Sequence, residues 1–289
     1  MQIGIGLAIV AALMTHLASL LKHRGCHLAD PVCMRKPLRS ARALAASRWF
    51  AAGWGLAAVA WSVHVAALSM APISIVQAVL AGSAVTLAVM AQCLFGDPVE
   101  RRQWFALLLG GAGLALLVVT VPHFSGSHSS FSVGAILGFE GGLVLLAAGL
   151  VSGHRSERFA GRSNVMLAAI AGTLIALAGV AIKGLTGAGD VSIAVLAPWI
   201  LLTLLAGVLA QYAAAAALQR GGAIETIGLM GLVANAAQIV GGILVFGDPL
   251  STDPLGLALQ TTAFAMVCAS ALLIPAQGVD AKPPATVTA

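Results

Sequence analysis

The chain has 289 residues, of which 60% are hydrophobic and only 9% charged, with a mean hydropathy of +0.99. A soluble domain carries about 25% charged residues, so the composition excludes a water-covered globule and makes the lipid bilayer the solvent. The net charge of +5 does not point to nucleic acid, because the placement of the basic residues decides what they mean.

A membrane-spanning helix needs about 20 mostly apolar residues. The first candidate is 2–21. It lacks a basic leading region and its apolar stretch is long, so it reads as a span and not as a signal peptide. A polar connection follows at 22–48, KHRGCHLADPVCMRKPLRSARALAASR. The remaining candidates are 49–69, 71–94, 103–121, 133–152, 165–186, 192–216, 223–246 and 255–275, giving nine spans in all. The tail 277–289, QGVDAKPPATVTA, is expected to be disordered. Residues 1–276 form one polytopic membrane domain, with a first repeat over 1–121 and a second over 133–276.

Lys and Arg are retained on the cytoplasmic side of a membrane. With nine alternating spans, fourteen of the fifteen Lys and Arg residues fall on one side, and only Lys183 lies elsewhere. The expected topology is therefore N-terminus outside and C-terminus inside, in a plasma or inner membrane.

The tetrapeptide FGDP ends span 3 at 95–98 and span 8 at 246–249, an offset of 151 residues. Five spans separate the copies, so they face opposite sides. That is an inverted repeat, here 4+5, an architecture common among secondary transporters. Locally, FGDP reads as a helix–turn–helix. Gly ends one helix, Asp caps the next and Pro occupies its first turn, with Asp97 and Glu100 fitting a capping box.

The segment APISIVQAVLAGSAVTLAVMAQCLFGDPVERRQWFALLLGGAGLALL resembles the duplicated EamA-type segment of the drug/metabolite transporter superfamily. Where that family often has Gly-Glu at the turn, this chain has Gly96-Asp97 and Gly247-Asp248. LLKHRG after span 1, VAIKGLTG at 180–187, AQYAAAAAL at 210–218 and the missing second helix resemble the NIPA-type magnesium-transporter branch. The resemblance covers nearly the whole chain and implies a transporter. That branch carries an acidic residue and then an Asn in the span matching 49–69, where this chain has Trp61 and His64. Mg²⁺ prefers hard oxygen ligands, so the departure points toward a small polar solute.

Ionisable residues within spans are costly and often functional. His64, Gln77, Glu140 and Lys183 fall in the outer half, and His16, Gln211 and Glu225 in the inner half. Glu140 lies about 10 Å into its helix, at a depth that suits an ion pair with Lys183. The bland readings are a Lys183 that reaches to the interface and a Glu225 that complements a helix N-terminus. His16 is read as interfacial. Asn235 and Gln238, one turn apart, either bond between helices or line a polar cavity. The substrate- or ion-binding set is Glu140, Lys183, His64, Gln77, Gln211, Glu225, Asn235 and Gln238.

Cys26, Cys33, Cys93 and Cys268 lack the spacing of a structural zinc site. No Walker motif is present, no cluster of catalytic residues stands at the membrane faces, and no cofactor is expected. The expected partners are the lipid bilayer and a small-molecule or ion substrate, with no nucleic acid and a homodimer left open. The leading reading is a secondary transporter. The alternatives are a NIPA-like Mg²⁺ transporter and a non-transporting subunit of an envelope enzyme complex.

Overall fold

The computed structural model describes residues 2–33, 36–96, 101–120, 132–156, 163–186, 193–248 and 250–273. Every described element is a helix: α1 (Gln2–His27), α2 (Pro37–Ala46), α3 (Arg48–Met70), α4 (Ile73–Gly82), α5 (Ala84–Met90) with a π-helical turn Ala91–Phe95, α6 (Arg101–Thr120), α7 (Val133–His154), α8 (Ser163–Thr186), α9 (Ile193–Leu218), α10 (Ala223–Phe246) and α11 (Pro254–Leu272). Among the described residues, seven spans are long and apolar enough to cross a membrane, so the chain is a multi-pass membrane protein. In α6 and α11 the apolar stretches are shorter, at Trp104–Gly113 and Pro254–Ser270. The expected disordered tail and the Asp97–Glu100 capping box lie outside the described residues.

Two local expectations are corrected and one is refined. Helix α1 runs on to His27, so Lys22 belongs to its end and not to a loop. The expected span 71–94 is found as Ile73–Leu94, with its helix interrupted by a single turn residue at Ser83. There the Ser83 hydroxyl donates to the Leu80 carbonyl at 2.6 Å and Thr86 Oγ1 donates to the Ser83 carbonyl at 2.6 Å. Side chains that bond back to their own helix compete with the backbone ladder. Finally, Asp248 does not cap α11. Asp253 does, accepting from the Gly256 amide at 2.6 Å with Pro254 in the first turn. Both glycines of the repeated turn do close their helices in the left-handed conformation, Gly96 at φ 73° and Gly247 at φ 62°, where only glycine is unstrained.

Helix α1 packs antiparallel on α3, α8 on both α9 and α10, α10 on α4, and α6 on α11. Small residues permit these approaches. A Cβ on Gly25 would meet the Phe50 backbone, and one on Gly53 would lie 2.7 Å from the Ala18 carbonyl oxygen. Helix α8 is the most enclosed span, with 72% of its apolar window inside the protein against 17% for α7.

The ends of the bundle differ. Lys22, Arg24, Arg48, Arg155 and Arg220 gather where α1, α7 and α9 finish and α3 starts. This is the basic end. Lys183 lies at the other, near the α3–α4 corner. Each end has a large apolar cluster. Leu20, Leu87, Leu167 and Ile227 belong to the one at the basic end, and Ala8, Val79, Val180 and Val245 to the other.

Candidate functional site

Lys183 is completely buried. Its Nζ donates to the Leu68 carbonyl at 2.6 Å and the Ala71 carbonyl at 3.1 Å. These carbonyls belong to the last turn and C-cap of α3, which carry no intrahelical partners and the negative end of the helix dipole. The neighbouring helix start meets the opposite charge. Asp248 Oδ2 accepts from the Ser74 amide at 2.6 Å, in the first turn of α4, and the Asp248 field also acts on Lys183. A buried ammonium costs several kcal/mol unless it is paired and hydrogen-bonded. Here the cost is offset by two carbonyls and a carboxylate. The result is a staple joining the ends of α8 and α10 to the corner between α3 and α4.

The expected Glu140–Lys183 pair is not formed, because Lys183 is held by the α3–α4 corner. Glu140 lies on the buried stripe Ile136, Glu140 and Leu143 of α7, and its Oε1 has no hydrogen-bond partner.

Between the two apolar clusters lies a polar layer. On α1 it holds His16, between Ala8 and Leu20. On α4–α5 it holds Ser83, between Val79 and Leu87. The two meet, with His16 Nε2 2.8 Å from Ser83 Oγ, at the helix interruption itself. At the same level are buried Thr173 on α8 and buried Asn235 and Gln238 on α10. Gln238 donates to the Ala234 carbonyl of its own helix at 3.3 Å. Its Oε1 has no partner and presses on Gly179, where a Cβ would overlap it.

On either side of this layer stand two further polar pairs. Toward the Lys183 end, Gln77 Nε2 lies 3.4 Å from His64 Nε2. Toward the basic end, Lys22 Nζ donates to Gln211 Oε1 at 3.4 Å. The polar groups thus run in steps along the inner faces of α1, α3 and α4–α5. Glu225 lies apart, in the first turn of α10, where its Oε1 accepts from Asn164 Nδ2 of α8 at 3.0 Å.

Sequence reasoning left out His16, Lys22 and Asp248 from the set. His16 reads as interfacial only while the break at Ser83 is unseen. The signal for Lys22 is present, since LLKHRG and VAIKGLTG each set a Lys near the end of a long apolar run. Among the described residues no three His, Cys, Asp or Glu side chains come together.

No known family model, curated protein or solved structure matches the chain.

Proposed function

We propose that this protein is a secondary transporter of the drug/metabolite type that moves a small polar solute by alternating access. The observation that carries the proposal is the interrupted helix at Ser83, bonded to His16 in a polar layer between two apolar clusters. Discontinuous helices at the midplane are how many secondary transporters build their binding sites. A π-helical turn in the same span adds to this, since such turns are frequent at functional sites.

In this reading nine helices cross the membrane as a 4+5 inverted repeat. Helices α1, α3, α4–α5 and α6 form the first set, and α7 to α11 the second. The two left-handed glycine caps and the matching antiparallel pairings of α1 with α3 and α8 with α9 support it. The basic end faces the cytoplasm of a plasma or inner membrane, in line with the retention of Lys and Arg. The Lys183 staple is the closed outer gate, and Lys22 with Gln211 is its looser inner counterpart. Release of Leu68 and Ala71 by Lys183 opens the outer side.

The solute is organic and carries hydrogen-bonding groups, a carboxylate among them. The polar steps offer imidazole, hydroxyl, amide and ammonium groups, whereas Mg²⁺ is held by carboxylates and retained waters. The test is uptake into liposomes of labelled amino acids and other small metabolites, beside an internal Mg²⁺ indicator. Saturable uptake of an organic solute that falls at least tenfold in His16→Ala is expected. Saturable Mg²⁺ entry without organic uptake would replace this reading with the magnesium one.

A further inference from the structure

We infer that the C-terminal end of α1 carries a binding site for a d-block divalent cation, formed by His23 and His27. The two residues are four apart on one helix, so their side chains share a face. Their Nε2 nitrogens lie 3.1 Å apart and their rings cross at 71°. Two metal–nitrogen bonds of about 2.0–2.1 Å spanning that gap enclose an angle of roughly 100°. This lies between the tetrahedral and octahedral values, so one ion can replace the hydrogen bond that now joins the two ring nitrogens. Paired histidines at this helical spacing are a recognised way to hold zinc.

His27 is exposed, which gives an ion access from the aqueous face and leaves the remaining positions to water. With two protein ligands the site prefers imidazole-seeking Zn²⁺, Ni²⁺, Co²⁺ and Cu²⁺ over Mg²⁺, which seeks oxygen. It is separate from the polar layer at Ser83 and does not depend on what that layer carries.

The site sits at a joint. His23 Nε2 is also 3.4 Å from the Gly221 carbonyl in the turn between α9 and α10. A nitrogen that donates its proton to a carbonyl has no lone pair for a metal. Binding therefore places the ring proton of His23 on Nδ1 and releases Gly221. An ion at this site loosens the tie between α1 and the α9–α10 turn.

Ni²⁺ and Co²⁺ titrations of the purified full chain, followed by calorimetry and by the visible Co²⁺ spectrum, test the proposal. One equivalent is expected to bind, without a thiolate-to-cobalt charge-transfer band. Affinity is expected to fall at least tenfold in both His23→Gln and His27→Gln, while Mg²⁺ gives no signal. His27 is exposed and its replacement leaves the His23–Gly221 contact in place, so that variant reports binding without loss of fold. Binding that persists unchanged in His27→Gln, a thiolate band from Cys26 or Cys33, or no binding at all would overturn it.

Discussion

At the scale of single residues, the account rests on where buried polar atoms find partners. Lys183 holds two carbonyls that the end of α3 cannot satisfy itself. Lys183→Met keeps the chain length and removes the donor. It should lower stability by about 2 kcal/mol, the cost of stranding buried groups that had bonded to a charge. Thermal unfolding in detergent measures this, and Lys183→Arg should recover part of the loss. Glu140 is the opposite case, a buried carboxyl with one oxygen unpartnered. Little structure depends on it, so Glu140→Gln should unfold at the wild-type temperature while transport is lost. Normal uptake in that variant would remove Glu140 from the site. The sequence marked both residues as unusual because charge in an apolar run is rare. It did not reveal that Lys183 bonds to backbone carbonyls, because such partners leave no sequence signature.

At the scale of helices, close approach at glycine decides which spans pair. A Cβ at Gly25 would run into the backbone of Phe50, whereas Gly55 has open space around it. Gly25→Ala should therefore destabilise the protein by about 1–3 kcal/mol, the usual cost of overpacking. Gly55→Ala should stay within roughly 0.5 kcal/mol of wild type. Equal effects in chemical or thermal unfolding would contradict the α1–α3 packing. The long spans were legible in the sequence because apolar length is a strong signal. The break at Ser83 was not, because VLAGSAVTLAV stays apolar through it and the interruption comes from hydroxyls turning back on their own carbonyls. FGDP was half legible. Its glycines cap as expected, but Asp253-Pro254 starts α11, and Asp248 is drawn away to the first turn of α4.

At the scale of the whole molecule, the proposed topology rests on the distribution of basic residues. Cys33 is exposed at the basic end, whereas Cys26 is buried and cannot report. An impermeant thiol reagent should leave Cys33 unlabelled in intact cells and label it in inverted vesicles. Labelling from outside would reverse the topology. The central claim is that one polar layer is reached from each side in turn, and counterflow tests it most directly. Liposomes containing the protein are loaded with an excess of the unlabelled solute identified by uptake and diluted into a trace of labelled solute. Alternating access predicts a transient accumulation of label above its equilibrium level, driven by exchange at one site and reduced in His16→Ala. Label that merely equilibrates would contradict the account, as would no protein-dependent movement of any solute by the folded chain.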